Sequence, residues 1–130
     1  MKGFAAATLR ILALASLLAG APLPATAQDA SAFPAKPVRF IVPFPPGGPS
    51  DLMLRLVAQN LSDLWRQPVL VENRPGAGGV VGTEIIAKSA GDGYTLGVGS
   101  IGTHAINVSL YEKLPYDAVA DFAPITLLAS

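Results

Sequence analysis

The chain has no cysteine and a single histidine, His104, so neither a disulfide framework nor a thiolate or paired-histidine metal site can be built from it. Charge is also scarce. Nine basic and nine acidic residues make up 14% of the sequence and cancel, which leaves no clustered Lys/Arg footprint for nucleic acid. The apolar run from Ile11 to Gly20 is shorter than the ~20 residues a membrane span requires, and Pro22 and Pro24 follow it. It reads instead as the core of an export signal, with Lys2 and Arg10 before it and the small residues Ala25 to Ala27 behind it. Cleavage after Ala27 removes two basic residues, so the mature chain, Gln28 to Ser130, is mildly acidic and expected in the periplasm.

Glycine and proline are plentiful, thirteen and twelve residues, and they punctuate the chain in a regular way. "PVRFIVPF" (Pro37 to Phe44) is apolar on nearly every position, the pattern of a central parallel strand covered on both faces. Beyond "PPGGP", Leu52, Val57, Leu61, Leu64 and Trp65 recur at three- and four-residue steps and predict a helix of about four turns. Val69 to Val71 predict a second strand behind Pro68. Val81 to Ile86 predict a second helix, and "YTLGVGS" (Tyr94 to Ser100) a third strand. A helix is expected around Ala105 to Tyr111, with Tyr111 and Tyr116 packing a loop, and "PITLLAS" (Pro124 to Ser130) is a fourth candidate strand. Alternation of strand and helix at this spacing predicts an α/β fold with a parallel sheet. Because "PITLLAS" stops inside an apolar run, a longer protein is expected.

Right-handed crossovers bring every strand-to-helix turn to one sheet edge. Three such turns, "PFPPGGPSD", "ENRPGAGGVVG" and "GSIGTHAIN", are rich in glycine. Helix N-termini carry unpaired N–H groups and about half a positive charge, and glycine lets an oxygen approach the backbone. The expected ligand is a small carboxylate or similar anion. Nucleotide chemistry is disfavoured: "GGPSD" lacks the Gly-Lys-Ser/Thr of a phosphate loop, and in Gly76 to Gly82 the third glycine of G-x-G-x-x-G falls at Val81. Ser100 sits in no G-x-S-x-G elbow. His104 has two open roles, a loop hydrogen bond near Asn107 or a donor to a ligand oxygen, and Ser100 and Thr103 could offer hydroxyls or cap a helix.

The stretch "VRFIVPFPPGGPSD…VENRPGAGGVVGTE…GDGYTLGVGSIGTHAIN…LYEKLPYDAVADFAPITLLA" closely resembles the periplasmic solute receptors of tripartite tricarboxylate transporters, the Bug receptors. The resemblance implies a type II periplasmic-binding-protein-like α/β domain, incomplete over residues 28 to 130, with the second domain absent. It implies that Pro46, Gly47, Gly48, Ser50 and Asp51 form a first gripping loop, that Ala77, Gly78 and Gly79 form a second, and that Ser100, Thr103 and His104 make a third contact. It further implies a monomeric receptor without cofactor or catalysis that hands a small organic carboxylate to membrane permease subunits. The rival expectations are an exported α/β enzyme or sensor for an anionic substrate, and a non-functional truncated fragment.

Overall fold

A computed structural model describes residues 33–129, so the expected export signal and its cleavage site lie outside the described residues. Three parallel strands, β1 (Val38–Val42), β2 (Val69–Asn73) and β3 (Thr95–Gly97), form a sheet in the order β2-β1-β3. The apolar run is the central strand, as its composition predicts: Val38, Phe40, Ile41 and Val42 are all buried. Arg39 alone reaches water, where its guanidinium donates two hydrogen bonds to Glu72 on β2. The chain leaves β1 through helix α1 (Pro49–Trp65) to reach β2 on one side. It then crosses back through α2 (Val80–Ala87) to β3 on the other. Right-handed crossovers running in opposite directions place their helices on opposite faces. The packing agrees. Phe40 and Val42 form the core cluster with Leu54 and Ala58 of α1, while Ile41 points the other way and pairs in register with Gly97, against which Ile86 of α2 packs.

The buried stripe of α1 is displaced from the one its leucines suggest. Leu52, Leu56 and Leu64 are exposed, and the buried positions are Asp51, Leu54 and Ala58. Leu54, at 2% exposure, gains about 2 kcal/mol from removal of its side chain from water. The reason for the displacement is polar and lies at the helix start, where Asp51 is drawn inward by partners described below. Arg66 closes α1 in the left-handed conformation. Val98, just beyond β3, packs half-buried on the core.

One expectation holds with an earlier start and one needs correction. The helix expected around Ala105 to Tyr111 begins as a wide π-helical turn, Gly102–Ile106, before a single α-helical turn, α3 (Asn107–Leu110). "PITLLAS" forms no strand among the described residues: Ile125 and Leu127 are about three-quarters exposed, and the segment pairs with neither free edge of the sheet. An apolar run declares a capacity for burial, but a strand exists only where another strand takes up its N–H and C=O groups.

Candidate functional site

Because β1 to β3 are parallel, the turns that follow them leave one carboxyl edge. An open cleft of about 560 Å³ lies there, lined by Phe44, Pro45, Pro46, Gly47, Gly48, Pro49 and Ser50 from the turn after β1 and by Ser100 from the turn after β3. The first of these turns feeds α1 on one face of the sheet. The turn after β3 instead packs against the Ala77–Gly79 turn, which opens α2 on the other face. A crevice between strand ends whose connections diverge is where open α/β sheets bind ligands.

The chemistry of the first turn follows from its residue types. Pro45, Pro46 and Pro49 carry no N–H, so beyond Phe44 the turn can offer only the amides of Gly47, Gly48, Ser50 and Asp51. The Gly47 N–H donates to Asp51 Oδ2 at 2.8 Å. Leu52 N–H already returns to Gly48 O. The N–H groups of Gly48, Ser50 and Asp51 have no acceptor among the described residues. They point outward from the positive end of a 17-residue helix. Gly48 is the residue that flanks the helix start, and it supplies no side-chain cap. Most helices place Ser, Thr, Asp or Asn there to satisfy these same amides internally; this one leaves them unpaired among the described residues, with Gly48 and Ser50 in the lining of the cleft.

Asp51 is the organiser of that turn. Its carboxylate is 3% exposed and accepts from Arg55 Nε at 3.0 Å, from the Gly47 N–H, and through Oδ1 from Asn73 Nδ2 at 2.9 Å. Asn73 Nδ2 also donates to Phe44 O at 3.1 Å, and Arg55 Nη2 donates to Asn73 Oδ1 at 3.0 Å. Arg55, then Gly47 and Asn73, hold the Asp51 carboxyl down at about 2, against an ordinary 3.8. A carboxylate so occupied stays charged and turned away from an incoming anion. It therefore stands behind the first loop and outside the lining of the cleft, and it caps the amide of Gly47, not that of the helix.

The second turn is built by strained backbone. Gly76, Ala77, Gly78 and Gly79 all have positive φ, with Ala77 at 45° and Gly78 at 63°, a region that disfavours side chains. Its carbonyls are gathered by the segment after β3: Tyr111 Oη donates to Ala77 O and Asn107 Nδ2 to Gly78 O, each at 3.1 Å. Ala77 and Gly78 are exposed and Gly79 is buried, and none of the three lines the cleft around Ser100. Gly79 comes near it only from behind, since a Cβ there would lie 3.5 Å from the Phe44 ring and 2.7 Å from Thr103 Cγ2.

In the third turn, Ser100 alone faces the cleft. Thr103 is fully buried; its hydroxyl accepts the Ser100 N–H at 3.0 Å and lies 2.8 Å from His104 Nδ1. His104 turns inward too, its ring 4.7 Å from that of Phe122 and 6.5 Å from that of Tyr116. Burial pushes its pKa below the usual histidine value. Thr103 and His104 thus form the back of the loop and do not line the cleft. The structure brings together Pro46, Gly47, Gly48, Ser50 and Ser100. It sets Asp51, Thr103 and His104 one layer behind them and Ala77, Gly78 and Gly79 along the same edge. Sequence reasoning passed over Arg55, Asn73, Asn107, Tyr111 and Tyr116 as scaffold. The four-residue step from Asp51 to Arg55 was the one signal that could have revealed part of it.

With this geometry in view, comparison with known proteins is informative. Residues 53–130 match the tripartite tricarboxylate transporter family receptor. Protein BugT of Bordetella pertussis is 43% identical over 120 residues, covering 92% of this chain and 37% of its own length. An Agrobacterium vitis protein from the TAR-I ttuE-ttuC' intergenic region is 44% identical over 115 residues, covering 88% and 33%. The chain spans about a third of the length of the curated relatives it matches. Among solved structures, MatC from Rhodopseudomonas palustris with bound malate superimposes with a TM-score of 0.70 at 43% identity, over 74% of this chain and 33% of that one. A second R. palustris protein, solved with adipate, gives 0.64 at 37% identity, over 66% and 29%. A further match, described as a periplasmic transporter, gives 0.65 at 45% identity, over 68% and 30%. Order of elements, parallel sheet and sequence agree, and the chain belongs to the tripartite tricarboxylate transporter receptor family.

Proposed function

We propose that this chain serves in the periplasm as a receptor for a small organic carboxylate, delivering it to the membrane permease subunits of a tripartite transporter and performing no chemistry on it. One observation carries the reading: the cleft between the ends of β1 and β3 is lined by proline, glycine, Phe44 and two serines, with unpaired amides at the start of α1 and no titratable side chain. Oriented N–H groups recognise negative charge without supplying a nucleophile or a base. Neither serine is prepared for attack. Ser100 hydrogen-bonds Thr103 rather than the His104 ring, whose Nδ1 is engaged by Thr103. The malate and adipate held by the two R. palustris relatives fit the same class of ligand. Pro46, Gly47, Gly48, Ser50 and Ser100 make the contacts, while Ala77, Gly78 and Gly79 extend the same amide-rich edge.

The test uses the open start of α1. Gly48 has ordinary backbone angles, φ −77° and ψ 169°, and a Cβ there meets only Pro45 O at 3.6 Å. Gly48→Thr introduces a hydroxyl that caps the Ser50 and Asp51 amides from within and occupies the cleft. Calorimetric affinity for malate and adipate should fall at least about tenfold, while the thermal midpoint holds or rises. Native mass spectrometry of protein taken from the periplasm should show a single small acid, absent from the variant. No heat with either acid and no co-purified ligand, or equal affinity in Gly48→Thr, sinks the proposal.

A further inference from the structure

Ser100 is the one cleft residue contributed by the turn after β3, and its polar atoms are already partly assigned. Its N–H donates to Thr103 Oγ1 at 3.0 Å, and its Oγ accepts the Thr103 N–H at 3.3 Å, a reciprocal pair like the box that caps helix starts. An Oγ that is accepting from inside the protein has its own hydrogen left to donate. The direction of that hydrogen depends on Thr103. Its hydroxyl is fully buried and must itself find an acceptor, for which His104 Nδ1 at 2.8 Å is the nearest choice, ahead of Ser100 O at 3.3 Å and Ser100 Oγ at 3.4 Å, the last a contact in which either hydroxyl can donate.

The imidazole is fixed for that role from several sides. Phe122 and Tyr116 pack on the ring, and the Tyr116 hydroxyl, itself buried, donates to Thr103 O at 2.6 Å. Gly99 clears the remaining space, since a Cβ there would lie 2.8 Å from His104 Cε1. We propose that His104 is a positioning residue of the cleft: its unprotonated Nδ1 takes the Thr103 hydroxyl hydrogen, which aims the Thr103 oxygen at the Ser100 N–H and leaves the Ser100 O–H to donate to the ligand. The third wall then adds a side-chain donor to the backbone donors of the first.

The inference rests on the carboxylate-receptor reading, and two arms separate their failures. In the ligand-free chain, ¹⁵N chemical shifts of His104 should report a neutral ring with the proton on Nε2; a proton on Nδ1 overturns the inference whether or not any acid binds. In binding, malate is the probe. Asparagine places its side-chain oxygen close to the position of Nδ1, whereas glutamine reaches that of Nε2, so H104N should bind malate within about threefold of the unsubstituted protein. H104Q and H104F should lose about tenfold or more, and S100A a similar amount. Equal losses in H104N and H104F at matched thermal midpoints would mean that the ring merely fills space and would overturn the assignment. A protein that shows the Nε2 proton yet binds no acid would instead count against the receptor reading.

Discussion

At Gly47 an added methyl group would meet open space and at Gly48 only the carbonyl oxygen of Pro45, whereas at Gly79 and Gly82 it would strike Thr103, Pro43 and the Arg74 backbone. The first two glycines sit in the turn after β1, the other two in the turn after β2 and the first helical turn beyond it. They look alike in sequence. In the first turn the space beside glycine is open, and Gly47 with φ +83° also needs glycine for its backbone; in the second glycine lets one part of the chain lie against another. The ties that hold each turn differ in the same sense. A charged residue, Asp51, fixes the first from behind, so that its free amides stay outward. Neutral donors from the segment after β3, Asn107 and Tyr111, fix the second by its carbonyls.

The strongest way to break this contrast is a pair of alanine substitutions. A Cβ on Gly82 would lie 2.6 Å from Pro43 Cα and 2.7 Å from Arg74 O, both backbone atoms with nowhere to move. Alanine ordinarily stabilises a helix interior by up to ~1 kcal/mol relative to glycine. Here the overpacking of α2 against the end of β1 should reverse the sign and cost about 3 kcal/mol or more. Chemical denaturation of G82A is the measurement. Gly48→Ala, with open space before it, should change stability by less than about 0.5 kcal/mol. Comparable stabilities for the two variants would mean that the second turn is not close-packed as described.

Acid sharpens the contrast next. Asp51 and Glu72 are both held at about 2, below ordinary values of 3.8 and 4.5. The cause for Asp51 is first the Arg55 side chain, and for Glu72 first Arg39 and then Arg74. A depressed carboxyl contributes stability that is full above its unfolded value and is lost as pH falls through its folded one, so both contributions should fade between about pH 4 and pH 2. Their exposure separates them. The Asp51 side chain is 3% exposed and that of Glu72 27%, while their arginine partners, Arg55, Arg39 and Arg74, are all about half in water. Salt at ~1 M shortens the screening length to about 3 Å and should raise the Glu72 midpoint while leaving that of Asp51 in place. Following the Gly47 amide by NMR reports Asp51 directly. A Gly47 midpoint that climbs with salt as far as that of Glu72 would show the first turn to be an ordinary surface pair.

Much of this architecture was legible in the residues, for physical reasons that also mark where legibility stops. The near-continuous apolar stretch Val38 to Val42 announced a strand covered on both faces, and crossover handedness then placed three turns on one edge. The helix α1 was legible from its apolar steps, but that Leu52 and Leu64 lie exposed while Asp51 is buried was not, since no periodic signal marks a buried aspartate whose partner Asn73 lies 22 residues away. The inward orientation of Thr103 and His104 was hidden for the same reason. It depends on Tyr116, 13 residues further on, and a turn sequence does not declare which of its side chains face in. Of the three gripping loops implied by resemblance, the cleft takes its lining from the first and from one residue of the third.

The smallest effect tests whether the second turn is structural alone. Tyr111 is 36% exposed, and its single bond to Ala77 O competes with water, so Tyr111→Phe should cost only about 0.5–1 kcal/mol. If the second turn supports the cleft merely by standing behind it, malate affinity in that variant should stay within about twofold of the original. A larger loss would say that the Ala77 and Gly78 amides swing into contact with ligand. Tyr111 holds the Ala77 carbonyl, so the Gly78 N–H of the same peptide points away from that bond, while the Gly79 N–H is already given to Gly76 O. Measured beside Gly48→Thr, the single missing hydroxyl of Tyr111→Phe therefore decides whether one turn or two grip the acid.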